Sequence, residues 1–120
     1  MNIIETAKAP GAIGPYSQGW EAGGFIFTSG QIPVDPDSGA VPEGIAAQAE
    51  QSCKNVGAIL EAAGTDLKRV VKTTCFLADR RNWSEMVTSV PRPSSLSTLT
   101  VPPIISTMLL VMVMPSPTPF

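Results

Sequence analysis

The chain contains no histidine, so it lacks the commonest general base and the commonest metal ligand. Serine–histidine–acid triads and zinc sites are all but excluded with it. Cysteine is scarce too. Cys53 and Cys75 are the two present, and both fall in segments that read as regular secondary structure. They read as buried free thiols of a reducing compartment rather than as a disulfide or redox pair. Charge is sparse at 15 %, and the net charge of −2 gives no basic footprint for nucleic acid. The N-terminus has no basic stretch followed by a long apolar run, so it does not read as a secretory signal. The most apolar stretch, Ile104 to Met114, is bounded by prolines. It falls short of the about 20 residues that a membrane-spanning helix needs, and a buried strand is the better reading.

What is present fits one domain, because 120 residues suffice to bury roughly two thirds of the unfolded surface. Two polar segments carry most of the information. Gly14-Pro15-Tyr16-Ser17-Gln18 and Phe27-Thr28-Ser29-Gly30-Gln31-Ile32-Pro33 each place glycine, serine and an amide beside apolar residues. In such a segment a backbone can turn close to a small ligand. Between them Ser17 to Glu21 and Phe25 to Ser29 read as paired strands around Gly23-Gly24. That hairpin would bring the two polar segments towards each other. Ile3-Ile4 reads as a short first strand.

Pro33 to Gly39 is dense in turn formers, with fixed φ from proline, Asx turns from aspartate and positive φ from glycine. Then the period changes. Ile45, Ala49, Cys53, Val56, Leu60 and Ala63 recur at helical spacing, with Gly64 as the C-terminal cap. Val70 to Leu77 is β-branched and aromatic, a strand. Asp79 to Met86 reads as a turn opening a second helix, with Asn82 at its N-cap and Glu85 at the capping-box position.

From Val87 onward there is no Gly, Ala, Asn, Gln, Asp, Glu or Lys, and Arg92 is the one charged residue. Seven of the twelve prolines lie there, and Pro91 and Pro93 would break the second helix after barely two turns. Local propensity contradicts the plan set by the first 86 residues.

The ordered string Ala12 to Gln18, Phe27 to Pro33, Asp35-Pro36, Gly39, Glu43-Gly44, Leu60-Glu61-Ala62-Ala63-Gly64 and Val70 to Asp79 resembles the RidA (YjgF) family of reactive imine and enamine deaminases. The resemblance covers residues 1 to about 86. It implies an α+β fold of the chorismate-mutase-like kind, a mixed β-sheet backed by two helices, and a cytoplasmic homotrimer with clefts between subunits. It implies hydrolysis of 2-imino acids such as 2-iminobutanoate and 2-iminopropanoate to 2-oxo acids and ammonia, without cofactor or metal, nucleic acid or membrane. An imine carbon is already electrophilic, so positioning water and holding the substrate carboxylate can suffice.

Carried over residue by residue, Tyr16 matches the tyrosine that orients the attacking water. Gly30 matches the glycine whose backbone approaches the substrate, with Ser29 and Gln31 beside it. Read without the family, Tyr16 is also compatible with a capped core aromatic and Gly30 with a bulge. The family's carboxylate-gripping arginine would fall near Ile104, and its late glutamate has no counterpart after Glu85. Arg92, in Pro91-Arg92-Pro93-Ser94, stands about a dozen residues too early. The resemblance therefore implies a deaminase impaired in this chain. Two alternatives stand beside it: a non-catalytic protein that binds a small metabolite, and the ribonuclease or translation-inhibitor activity also attached to the family, which the acidic composition disfavours.

A shift of reading frame near Met86, in the gene or its recorded sequence, explains an abrupt change of vocabulary after intact upstream text. The alternative is a genuinely divergent C-terminus whose apolar strands replace the family's last ones. Translating the coding DNA beyond Met86 in the other two frames is expected to yield the Pro-x-Arg-Ser type segment in which the family carries its carboxylate-gripping arginine, and a later glutamate. Finding them in neither frame dismisses the shift.

Overall fold

The computed structural model describes residues 2–70, 72–76, 81, 85, 96–100 and 109–115. The hairpin forms as the glycines dictate. Strand β2 (Gly19–Ala22) pairs antiparallel with β3 (Phe25–Thr28), and Gly23 and Gly24 between them have φ of 59° and 81°. Positive φ at both central residues is what a type I′ turn demands and what glycine supplies without strain. β2 begins at Gly19, two residues later than Ser17, although the Gln18 carbonyl still accepts from the Ser29 amide. Strand β1 (Asn2–Ile4) adds along the other edge of β2.

Helix α1 (Ile45–Ala62) starts after Gly44 and ends at Ala63, with Gly64 beyond it at φ 84°. The Gly64 amide donates to the Glu61 carbonyl and that of Thr65 to the Leu60 carbonyl. Carbonyls of the last turn are thereby satisfied by a left-handed glycine, as the sequence predicts. The Pro33–Gly39 turn also forms as read. Asp35 Oδ1 accepts from the Asp37 amide at 2.8 Å, the Gly39 amide donates to the Asp35 carbonyl, and Gly39 lies at φ 72°. After α1, a single 3₁₀ turn at Leu67–Arg69 is capped by the Asp66 carboxylate, which accepts from the Lys68 amide.

Strands β4 (Lys72–Phe76), β5 (Leu96–Thr100) and β6 (Leu109–Pro115) complete one six-stranded sheet in the order β1-β2-β3-β6-β4-β5. The β4–β5 pair is parallel and the other pairs are antiparallel, so the sheet is mixed. The apolar stretch read as a buried strand supplies β6, which joins β3 to β4; its predicted beginning, Ile104 to Met108, lies outside the described residues. Glu85 is helical, while Asn82 and the rest of the predicted second helix lie outside the described residues.

Period two along the strands decides the faces. Ile4 and Thr28 are buried on either side of Gly19, and Ile26 is fully buried. With Ala49, Cys53, Val56, Ile59 and Leu60 of α1, together with Cys75 of β4, Ile4 and Ile26 form the core. The alternate row, Ile3, Trp20 and Phe27, runs across three strands on the opposite face and stays exposed. At Gly19 a Cβ would lie 2.9 Å from the Ile59 side chain and 3.3 Å from the Phe27 carbonyl. The helix sits directly on bare backbone there.

Gly19→Ala is expected to cost about 1–3 kcal/mol of stability through overpacking, read as a fall in denaturant midpoint at constant slope. Gly23→Ala meets no atom within 4 Å and is strained only by its φ of 59°, so its loss should be the smaller of the two.

Candidate functional site

The two polar segments meet one residue beyond the end of the β2–β3 ladder. The Ser29 amide donates to the Gln18 carbonyl at 2.9 Å, and Ser29 Oγ donates to the same oxygen at 3.2 Å. Ser29 Oγ in turn accepts from Gln31 Nε2 at 3.1 Å. Gln18 and Gln31 are both buried, at 4 % and 5 % exposure. A buried amide must find partners: the Gln18 carboxamide finds them in the chain between Thr6 and Pro10, and Gln31 Nε2 finds Ser29 within its own segment, while the two segments are joined by Ser29 at the Gln18 carbonyl.

The Gln18 side chain is the more heavily used. Its Oε1 accepts from the Thr6 amide at 2.7 Å. Its Nε2 lies within hydrogen-bond distance of the carbonyls of Thr6 (3.0 Å), Ala9 (3.2 Å) and Pro10 (2.8 Å). One carboxamide thus holds the chain between β1 and the Tyr16 loop. A concavity of about 460 Å³ adjoins it, lined by Glu5, Thr6, Ala7, Gly11, Ala12 and Gln18.

Tyr16 stands outside this concavity, about half exposed, on a loop whose residues Gly11 to Tyr16 are all exposed. Its amide donates to the Gly14 carbonyl at 2.8 Å, and its phenol oxygen accepts from the Ile13 amide at a long 3.4 Å. An added Cβ at Gly14 would come within 3.5 Å of the ring. The exposure tells against a capped core aromatic: the phenol is a presented group. Gly30 is half-buried between the structurally committed Ser29 and Gln31. The structure therefore draws Ser29 and Gln31 into the scaffold, and leaves Tyr16 as the predicted site residue that faces outward.

A third buried amide supports the far side. Asn55 of α1 donates from Nδ2 to the carbonyls of Ile32 and Val34 at 3.0 and 2.9 Å, and its Oδ1 accepts from Gln51 Nε2. The segment after Gly30 is thereby fixed to the helix.

The sequence profile described as Endoribonuclease L-PSP matches residues 6–106. The chain belongs to the RidA/YjgF family. The 2-iminobutanoate/2-iminopropanoate deaminases of Salmonella typhimurium and Escherichia coli are each 54 % identical to it over 81 residues, 68 % of this chain and 63 % of theirs. The chain thus matches less than two thirds of the length of these curated relatives. Its fold is the RidA/YjgF fold. It superposes on the crystal structure of Escherichia coli TdcF with bound serine at TM-score 0.86 and 33 % identity, over 96 % of this chain and 98 % of that one. The Escherichia coli YjgF gene product gives TM-score 0.86 at 36 % identity, with the same shares covered.

Among the described residues no group of three or more His, Cys, Asp or Glu side chains is placed to hold a metal. No described helix is long and apolar enough to cross a membrane. Cys53 and Cys75 are free and buried, as the sequence predicts. Burial pushes the Cys53 thiol up to about 12, with Cys75 and Glu50 adding to the rise, and pushes Cys75 up to about 11. Neither is a nucleophile at neutral pH.

Sequence reasoning missed the roles of Gln18 and Asn55. Gln18 lay in a recognised segment, but nothing in a string of residues marks an amide as bonded to three carbonyls. Arg92 and the Ile104 position lie outside the described residues.

Both thiols are expected to resist iodoacetamide in the folded protein at pH 8 and to react on unfolding. Their folded-state pKa values lie above the unfolded value near 9.0, so the folded state retains protons that the unfolded state loses. Stability should therefore hold below about pH 9 and decline as pH rises towards 11–12, measured by denaturant titration. Alkylation of the native protein at pH 8 as fast as of the unfolded chain contradicts the burial.

Proposed function

We propose that this chain is a hydrolase of the RidA type, releasing ammonia from short 2-imino acids such as 2-iminobutanoate and 2-iminopropanoate. The observation that carries this reading is the 54 % identity to deaminases named for those two substrates. Tyr16 suits the role assigned to it, an exposed phenol on a loop whose ends are tied down, able to orient a water molecule at an electrophilic imine carbon. Gly30 offers backbone rather than side chain to the substrate, with Ser29 and Gln31 holding it in place. The reaction needs no cofactor, because the substrate carries its own electrophile.

The reading includes a chorismate-mutase-like homotrimer in the cytoplasm. What supports assembly is the sheet face opposite α1. Ile3, Trp20, Phe25 and Phe27 are 54, 38, 43 and 43 % exposed there, a contiguous apolar surface suited to other copies of the chain. Tyr16 by itself makes half a site, and a neighbouring subunit would complete the cleft.

The carboxylate of the substrate finds no arginine at the position the family uses. A charge-assisted bond of that kind is worth about 1.5–3 kcal/mol, so turnover should be slower than in relatives that carry it. That same gap favours a second reading, a metabolite-binding protein without turnover, and the serine bound in TdcF shows a small amino acid held by a structure of this fold. The ribonuclease reading has names behind it, the profile's description and that of a Thermotoga maritima structure called a putative endoribonuclease, and stands against a net charge of −2.

With 2-iminobutanoate generated enzymatically in the assay, ammonia release above the buffer rate is expected. Tyr16→Phe should lower that release about tenfold, the worth of one hydrogen bond to the attacking water. Release equal to buffer alone, with measurable ligand binding, establishes the non-catalytic reading instead.

A further inference from the structure

Among the described residues, one side chain does most to hold the loop that presents Tyr16. Gly11 to Tyr16 are all exposed, so burial does not fix them. Both ends of the loop converge on Gln18. At one end the Pro10 carbonyl accepts from Gln18 Nε2 at 2.8 Å; at the other the chain runs directly into Gln18, two residues after Tyr16. The Gln18 backbone is itself pinned, because its carbonyl accepts two bonds from Ser29, the neighbour of Gly30. Ala9, buried at 3 % exposure, seats the clamped segment in the core.

From this geometry we infer that Gln18 is a positioning residue, which sets the Tyr16 loop against the Ser29–Gly30 segment through its buried carboxamide. The inference deepens the deaminase reading and rests on it for its catalytic meaning. The physical point is loop closure. A free connection from β1 to β2 would span Glu5 to Gln18, whereas the clamp cuts the unrestrained part to Gly11–Ser17. A shorter loop samples fewer conformations, so the phenol stays within the small volume that water orientation requires. Only an amide satisfies this site. Oε1 must accept from the Thr6 amide while Nε2 faces three carbonyl oxygens, and neither a carboxylate nor a hydrocarbon can do both.

The test exploits a further fact: Tyr16 is the one tyrosine of the chain. Full-length protein labelled with 3-fluorotyrosine gives a single ¹⁹F resonance that reports this loop alone. In Gln18→Glu the carboxylate would be buried against the carbonyls of Thr6, Ala9 and Pro10, with the Thr6 amide as its single donor. Burial and those acceptors raise its pKa above the ordinary value of about 4.3. Glu5 and Lys8, the charged groups of the clamped segment, are exposed.

The expected result is a loop resonance that in Gln18→Glu lies at the unstructured position at pH 8. It should return to the wild-type position on acidification, through a midpoint above 4.3, while the far-ultraviolet circular dichroism of the folded sheet and helix persists throughout. Gln18→Asn, which keeps the amide and withdraws it by one carbon, should show a partial displacement with no pH dependence, and it decides the matter if the glutamate variant does not fold. In the deaminase assay kcat should fall about tenfold in either variant with less change in KM, and the loss should vanish in a Tyr16→Phe background. A wild-type ¹⁹F resonance in both variants overturns the inference whatever the activity. A displaced resonance without any activity in the parent protein retains the positioning role and discards the deaminase reading.

Discussion

Everything in this fold is arranged around the place where α1 touches the sheet without side chains in between. At Gly19 a Cβ would meet Ile59 at 2.9 Å, so the helix can settle there only because β2 offers hydrogen. That contact determines which parity of each strand is interior. Ile4, Ile26 and Thr28 turn towards the helix, and Ile3, Trp20 and Phe27 are forced to the other side. Gln18, one residue upstream, is also buried, and its amide is paired with the Thr6–Pro10 segment. The clamp on the Tyr16 loop therefore lies next in sequence to the point where helix and sheet meet.

The elements legible in the sequence are those whose causes are local. Gly23-Gly24 specifies a primed turn, Asp35 and Gly39 specify an Asx-stabilised turn, and a helical stripe closed by Gly64 specifies α1. Each is decided by two to four neighbouring residues. Strand β6 was legible as a strand, because an apolar stretch bounded by prolines has few other fates, but its place between β3 and β4 was not. Partner choice in a sheet depends on the whole set of strands, and no residue in Leu109–Pro115 names its neighbour.

At the site the division is similar. A family resemblance singled out Tyr16, Ser29, Gly30 and Gln31, and the structure separates them by duty. Ser29 and Gln31 spend their polar atoms on one another and on Gln18, whereas Tyr16 presents its ring to solvent. The supporting amides, Gln18 and Asn55, escaped sequence reasoning because their partners are backbone carbonyls. Carbonyls are the same at every position and leave no trace in residue identity. Asn55 is more hidden still, a fully buried polar group, like Ser52, on a helix legible in the sequence by its apolar stripe.

The strand order also sets a schedule. The meander β1–β2–β3 is built from neighbours in sequence, but the free edge of β3 is covered only by a strand more than eighty residues later. Local contacts form quickly and distant ones slowly. During that interval Phe25-Ile26-Phe27-Thr28 presents an unpaired, apolar edge of the kind that recruits strands from other molecules. Proper folding of this chain is therefore a race between its own β6 and the β3 edges of its neighbours, one that dilution favours and overexpression does not.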